Sequence, residues 1–182
     1  DDMIYSTLVW TDVGYTSPCA FEGGSERTIT IGGWSKGWAM TGWRLGWITG
    51  PTNLMDGVKI VNVSSATHVP TFLMPAAAKA LSLDEEVQVM KDAFAERRVL
   101  MHQGLSSLPG FVVPEPEGAF YILCDITGTG LTDIEFAHQA LELAQVQVIP
   151  GSLMKGGDGL IRISYATSIA CLLYTSPSPR DH

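Results

Sequence analysis

The sequence predicts a mixed α/β fold, and three observations support this. Short runs rich in β-branched and aromatic residues alternate with helical periods along the chain of 182 residues. Hydrophobic residues make up 46% of the chain, which is enough to bury a sizeable core. A long helical pattern separates a glycine-rich first part from a compact second part. The chain is therefore predicted to hold an α/β portion followed by a smaller α+β portion.

The first part is predicted to contain two strands and two helices. TITIGG at 28–33 has the composition of a short strand, and WRLGWITG at 43–50 predicts another that closes at Gly50-Pro51. A helix is expected from about residue 53 to 63. The alanine-rich stretch PTFLMPAAAKALSL, at 70–83, predicts a second helix.

A longer helix is predicted from Asp84 to the Pro109-Gly110 turn, because apolar residues recur there at helical spacing. It leads into the second part, whose predicted order is strand 111–113, strand 119–126, helix 132–144, strand 146–150 and strand 160–166. The first domain is therefore predicted at 1–83, and the long helix with the second domain at 84–168. Serine and proline replace the periodic pattern in the last dozen residues, CLLYTSPSPRDH, so 169–182 is expected to be a non-native tail.

The bulk composition excludes several classes of function. Nineteen acidic residues against eleven basic ones give a net charge of −8, which disfavours nucleic acid and anionic membranes as partners. No apolar run reaches the about 18 residues that a membrane span needs, and the start does not resemble a signal peptide. Three cysteines without metal-ligand spacing favour a reducing compartment, so a cytoplasmic location is expected. The four histidines likewise predict no metal site.

Residues 32–47, GGWSKGWAMTGWRLGW, hold only two charges, Lys36 and Arg44, among four tryptophans and five glycines. A lysine in apolar surroundings can present a nucleophilic amine to a carbonyl compound. An arginine eight residues later offers a planar fork that suits a phosphate. The pair indicates an aldehyde cofactor with a phosphate group, although a single Ser-Lys pair is more often an ordinary solvated surface charge.

The stretch SKGWAMTGWRLGW resembles the lysine motif of the class I and II aminotransferases, which have the pyridoxal-phosphate transferase fold type I. The resemblance implies that Lys36 is the catalytic lysine that holds pyridoxal 5'-phosphate as a Schiff base, and that Arg44 binds the cofactor phosphate. Gly42 and Gly46 also match the motif. Gly33 departs from it, because the family often has a serine three residues before the lysine.

The opening residues Asp2-Met3-Ile4-Tyr5 resemble a second motif of the same family, a segment similar to SDEIY. The resemblance implies that Asp2 pairs with the protonated ring nitrogen of the cofactor and that Tyr5 binds its ring hydroxyl. A carboxylate there keeps the ring able to accept electrons from the substrate. The alternative is a strand end with an acidic cap and a core tyrosine.

A third match, VIPGSLMKGGDGLIRISYA at 148–166, resembles the segment of the small domain whose arginine binds the α-carboxylate of the substrate. That arginine is Arg162. An inward-facing arginine on a strand needs an anionic partner, and a structural ion pair is the alternative. In EGAFYILCDI, at 117–126, Phe120 and Tyr121 are expected to serve packing rather than chemistry.

The resemblance spans about residues 1–168 and implies a partial large domain followed by the small domain. It implies an aminotransferase that moves an amino group between an amino acid and a 2-oxo acid, as a homodimer when full length. Two alternatives share these residues: a lyase of the same fold, acting on carbon–sulfur bonds or like aminocyclopropane-carboxylate synthase, and an aminotransferase-like sensor domain of a transcription regulator. The resemblance covers only the carboxy-terminal portion of such an enzyme, so these 182 residues alone are expected to be inactive.

Overall fold

The structure, a computed structural model, describes residues 1–174. The chain divides into two compact units, Asp1–Lys91 and Asp92–His182. The division falls inside one long helix rather than at residue 84. The limits of the two domains therefore stay a prediction.

A two-stranded antiparallel sheet forms the centre of the first unit. Strand β1, Thr30–Gly33, pairs with strand β2, Gly46–Thr49. The start of the chain lies on the other side of β1, where Asp2 and Ile31 form a parallel bridge. Two backbone bonds fix it, from the Met3 N–H to the Ile31 carbonyl at 2.7 Å and from the Ile31 N–H to the Asp1 carbonyl at 2.8 Å.

Three helices complete the part of this unit that precedes residue 84. They are α1 at Trp34–Gly37, α2 at Thr52–Ser65 and α3 at Met74–Ala80, the last entered through a 3-10 turn, Thr71–Leu73. The Trp34 indole N–H donates to the Ala77 carbonyl at 3.0 Å, which ties α1 to α3. Both predicted helices are confirmed. The second predicted strand is shorter than expected, because residues 41–43 form a 3-10 turn.

Helix α4, Asp84–Ser106, confirms the long helix predicted from apolar spacing. Asp84, Glu85 and Glu86 occupy its first turn, where negative charge interacts favourably with the positive end of the helix dipole. Phe94 is the one residue of α4 that is buried. Its ring stacks on Phe120 with centroids 5.2 Å apart.

The second unit is built on a three-stranded antiparallel sheet. Its strands are β3 at Tyr121–Asp125, β4 at Ile149–Pro150 and β5 at Leu160–Ser164, in the order β3-β5-β4. Helix α5, Asp133–Ala144, begins at a capping box formed by Thr132 and Glu135. Alternate strand residues face a core, and the fully buried side chains include Ile122, Cys124, Ile126, Ile161 and Tyr165.

The predicted strand at 111–113 was wrong, since only one isolated bridge, Val112 with Asp125, forms there. Pro114 and Pro116 follow at once, and a proline has no N–H to extend a ladder. At the other end, a short helix α6, Ile169–Tyr174, buries Leu172, so the fold continues into the expected tail. Residues 175–182 of that tail lie outside the described residues.

Candidate functional site

Lys36 lies in the four-residue helix α1, directly after β1, and its side chain is half-buried. Close packing surrounds this helix. A Cβ on Gly33 would lie 2.8 Å from the Leu45 carbonyl oxygen and 3.3 Å from Ile4 Cδ1. A Cβ on Gly37 would lie 2.7 Å from Thr7 Oγ1. Two glycines therefore allow the start of the chain to pack directly against the lysine segment.

Asp2 and Tyr5 lie on this packed opening segment, so the structure brings their segment alongside that of Lys36. The Asp2 side chain is exposed, and its Oδ1 accepts the Ile4 N–H at 3.1 Å. Tyr5 is half-buried. The strand end expected here forms a single bridge. After Met3 the chain turns away from β1, and the Ser6 N–H donates to the Met3 carbonyl at 3.0 Å.

A cleft of about 440 Å³ lies where the opening segment meets the lysine segment. Met3 and Ser6 line it from one side, and Gly33, Trp34 and Trp38 from the other. The Thr7 hydroxyl is buried nearby with no hydrogen-bond partner among residues 1–174. The region between the two segments therefore contains both a cleft and a buried hydroxyl that makes no hydrogen bond within residues 1–174.

Arg44 follows the 3-10 turn and adopts the left-handed backbone region, with φ of 54°. Its side chain is exposed, and Nη1 donates to the Thr41 carbonyl at 2.9 Å. The structure thus binds the Arg44 guanidinium to its own loop. Four more N–H donors of a guanidinium are left for another acceptor.

The donor set in this unit fits pyridoxal phosphate chemically. A carboxylate suits a protonated ring nitrogen, a phenol suits a ring hydroxyl, an amine suits an aldehyde and a guanidinium suits a phosphate. Asp2, Tyr5, Lys36 and Arg44 supply these four groups.

Arg162 lies in the second unit, on the central strand β5, between Leu123 of β3 and Ile149 of β4. It is half-buried, and its guanidinium carbon lies over the Tyr121 ring, 4.7 Å from the centroid. Within residues 1–174 it makes no ion pair and no side-chain hydrogen bond, whereas Arg98 pairs with Glu115 at 2.9 Å. The structural ion pair considered for Arg162 is therefore not formed among the described residues.

Sequence reasoning missed two contacts at these sites. One is the packing of Thr7 against Gly37, which depends on a parallel pairing that strand patterns do not specify. The other is the contact of Tyr121 with Arg162, since Tyr121 was expected to serve packing. Side chains alternate between the two faces of a strand, so residues 121 and 123 lie on one face of β3. Only the register of β3 with β5 shows that Arg162 is their neighbour on that face.

Several other features of residues 1–174 bear on the candidate site. The three cysteines are free thiols, and burial raises the pKa of Cys124 to about 12. No helix in this range has the length and apolarity to cross a membrane. The same residues contain no cluster of three side chains that could ligate a metal ion.

Comparison with known proteins assigns the family. The profile of the class I and II aminotransferases matches residues 2–171, so this chain belongs to that family. It is 40% identical over 171 residues to an aspartate aminotransferase of Pyrococcus abyssi. It is 39% identical over 171 residues to the aromatic-amino-acid aminotransferase 2 of Thermococcus litoralis. Each match covers 92% of this chain and 44% of the relative, so the chain spans less than half the length of these relatives.

Solved structures agree on the fold. An aromatic aminotransferase from Pyrococcus horikoshii OT3 superposes with a TM-score of 0.91 at 38% identity, covering 96% of this chain and 48% of that one. An aspartate aminotransferase from Thermotoga maritima gives a TM-score of 0.86 at 33% identity, covering 96% and 44%. The fold is therefore part of the pyridoxal-phosphate-dependent aminotransferase fold, and the family depends on that cofactor.

Proposed function

We propose that the complete protein containing this chain is an aminotransferase that moves an amino group between an amino acid and a 2-oxo acid. The observation that carries the proposal is the packing of the opening segment, with Asp2 and Tyr5, against the segment of Lys36. Both segments resemble motifs of the family to which the chain belongs, and both lie within residues 2–171, which the family profile matches. Their packing supports one site rather than two unrelated matches.

Each residue has a chemical role in this proposal. Pyridoxal phosphate, when bound, supplies a ring that accepts the electrons released as the substrate loses its α-proton. The Asp2 carboxylate keeps the ring nitrogen protonated, and the Tyr5 hydroxyl binds the ring hydroxyl. Arg44 binds the phosphate with N–H groups that its bond to the Thr41 carbonyl leaves over.

Lys36 has two roles in sequence. Its amine would hold the cofactor covalently between turnovers. Its Nζ would also accept the proton from the substrate Cα and return it during the transfer. The half-buried position of Lys36 limits the competition of water with this proton transfer.

Arg162 is proposed to bind the α-carboxylate of the substrate. A two-pronged contact with a guanidinium fixes the carboxylate in a plane, which orients the Cα–H bond for proton removal. The proposal also includes a homodimer for the complete protein. The cytoplasmic location stays a prediction, supported by three free thiols.

Borohydride reduction of the cofactor-loaded complete protein, followed by peptide mass mapping, tests the central role of Lys36. We expect a pyridoxyl group on Lys36 and none on Lys59, Lys79, Lys91 or Lys155. Lys79→Arg is the matched control and should keep the label, whereas Lys36→Arg should lose it. A label on another lysine, or on none, contradicts the proposal.

Product analysis separates the alternatives. An aminotransferase converts its 2-oxo acid substrate into the matching amino acid, with no release of ammonia. A lyase of the same fold would instead cleave its substrate to a sulfur-containing product and would make no amino acid from the 2-oxo acid. A sensor domain retains the label on Lys36 but turns over neither substrate.

A further inference from the structure

Arg162 is held by an aromatic side chain rather than by an acid. Its guanidinium carbon lies over the Tyr121 ring at 4.7 Å from the centroid, within the distance at which a cation is attracted to a ring face. The register explains the contact. Leu123 is directly opposite Arg162, so Tyr121, two residues earlier, is its diagonal neighbour on the same face of the sheet.

The Tyr121 ring is itself anchored. Its centroid lies 4.8 Å from that of Phe120, which is buried, and Phe120 stacks on Phe94. Phe94 also meets the ring of the fully buried Tyr165, 6.3 Å away between centroids. Tyr121 is therefore linked through Phe120 to the core of the second unit.

A cation–π contact occupies the ring face and consumes no N–H donor of the guanidinium. A carboxylate binds the guanidinium through two of those N–H donors in its plane. An acidic neighbour would compete for the same donors, but an aromatic neighbour does not. Tyr121 can therefore restrict the Arg162 side chain while its donors stay open to a ligand.

We propose that Tyr121 is a positioning residue that prepares Arg162 for the carboxylate shared by amino acid and 2-oxo acid substrates. The inference rests on the proposed role of Arg162 and deepens it. Without the ring, the arginine samples more conformations and loses part of that freedom on binding. The contribution applies to every substrate, because the α-carboxylate is common to all of them.

Kinetics of the complete, cofactor-loaded protein provide the first test. We expect Tyr121→Leu to raise KM for both oxaloacetate and phenylpyruvate by about three- to tenfold, with kcat and cofactor absorbance unchanged. Tyr121→Phe keeps the ring, so its KM should equal that of the wild type. Leu123→Ala, a control on the same face of the same strand, should leave KM within about twofold of the wild type.

A series of graded substitutions keeps the test valid even if Tyr121→Leu does not fold. Progressively fluorinated phenylalanines at position 121 keep the ring shape but remove its negative face. We expect KM to rise steadily with fluorination. The side-chain protons of Arg162 should show an upfield ring-current shift in NMR spectra of the wild type and of Tyr121→Phe, and should lose it in Tyr121→Leu.

The outcomes distinguish the inference from the proposed function. If Arg162→Ala raises KM strongly but neither the leucine variant nor fluorination changes it, the positioning role is wrong and the role of Arg162 stands. An absent ring-current shift in the wild type also overturns the inference. If Arg162→Ala leaves KM unchanged, or the protein turns over no 2-oxo acid, the proposed function fails first.

Discussion

Arg44 and Arg162 make no ion pair among residues 1–174, and their surroundings differ. Arg44 is exposed, and its guanidinium is bonded to the Thr41 carbonyl of its own loop. Arg162 is half-buried on a sheet, against an aromatic ring. Burial without a counter-charge is costly for a guanidinium, so Arg162 has the greater need of an anionic ligand.

Arg162→Ala should therefore impair the use of substrate and leave cofactor binding intact. We expect kcat/KM of the complete protein to fall by a factor that corresponds to about 2 to 5 kcal/mol of lost transition-state stabilisation. This is the usual effect of removing one partner of a buried charge pair. Absorbance of the bound cofactor should stay normal, because Arg162 is proposed to contact the substrate and not the cofactor. An equal loss of cofactor binding would assign Arg162 a structural role.

At the residue scale, the sequence identified the chemistry better than the conformation. The spacing of Lys36 and Arg44 in an apolar, glycine-rich stretch indicated a cofactor with a phosphate, and the resemblance of that stretch to a family motif implied pyridoxal phosphate. The left-handed backbone of Arg44 was not predictable, because that region is unusual for a residue other than glycine. The partner of Arg162 was not predictable either, since cross-strand neighbours depend on register.

The packing of Thr7 on Gly37 is the contact between elements that most directly supports the site. Gly37→Ala should destabilise the complete protein by about 1 to 3 kcal/mol, because its new Cβ would lie 2.7 Å from Thr7 Oγ1. Denaturant unfolding measures the loss. Cofactor affinity should fall with it, since the change pushes the segment of Tyr5 away from that of Lys36.

A double variant provides the control for this prediction. Thr7→Ala removes the clashing hydroxyl, which has no hydrogen-bond partner among the described residues, so alone it should cost little. Combined with Gly37→Ala, it should restore most of the lost stability. Simple additivity of the two changes would mean that the two segments do not touch.

Asp133 connects α5 to the turn that precedes β5, and this connection should make stability depend on pH. Its Oδ2 accepts the Ser152 N–H at 2.7 Å. Hydrogen bonds from the Ser152 hydroxyl and N–H lower the pKa of this carboxyl. A lowered folded-state pKa contributes stability above the unfolded pKa, of about 4, and the contribution is lost as pH falls through the folded value.

Acid titration of the unfolding free energy tests this link. Stability should drop as pH falls below about 4, and Asp133→Asn should flatten part of the drop. Asp158→Asn, which changes an exposed carboxylate in the same unit, is the control and should leave the profile as it is. If Asp133→Asn left the pH profile unchanged, the Asp133 carboxylate would not contribute to the pH dependence of stability. Asp125 and Glu135 also have lowered pKa values, through hydrogen bonds from Thr127 and Thr132, and should contribute to the drop that remains in Asp133→Asn.

Elements with strong helical periodicity were predicted well, and short strands less well. Helices α2, α4 and α5 formed close to their predicted bounds. Of the strand predicted at 146–150, only Ile149–Pro150 formed. Two other failures were at 111–113 and 43–45, where the residues have strand propensity. In the first case two prolines stop the ladder, and in the second a 3-10 turn takes up the start of the run, so local backbone chemistry outweighed propensity.

The whole chain leaves much apolar surface uncovered in its first unit. All four residues of β2 are exposed, and α2 buries none of its fourteen. The relatives in which this fold is complete are more than twice as long. The surface that these elements leave open therefore needs cover that the described residues do not provide.

The 182-residue chain by itself should show negligible transamination and weak cofactor binding at best. Titration with pyridoxal phosphate, followed by absorbance, measures this, and we expect no stoichiometric band at micromolar cofactor. The complete protein is the matched control and should bind fully under the same conditions. Stoichiometric binding or turnover by the 182 residues would show that these elements form a working site without further chain.

Helix α2 has a consequence for how this chain opens. A helix of fourteen residues with no buried side chain has little tertiary packing to oppose its melting, and isolated helices of that length are marginal in water. Its backbone amides should therefore exchange with solvent through small local openings, long before those of β3 and β5 exchange. The chain would lose this helix at a small free-energy cost, while the sheet that carries Arg162 stays closed until global unfolding.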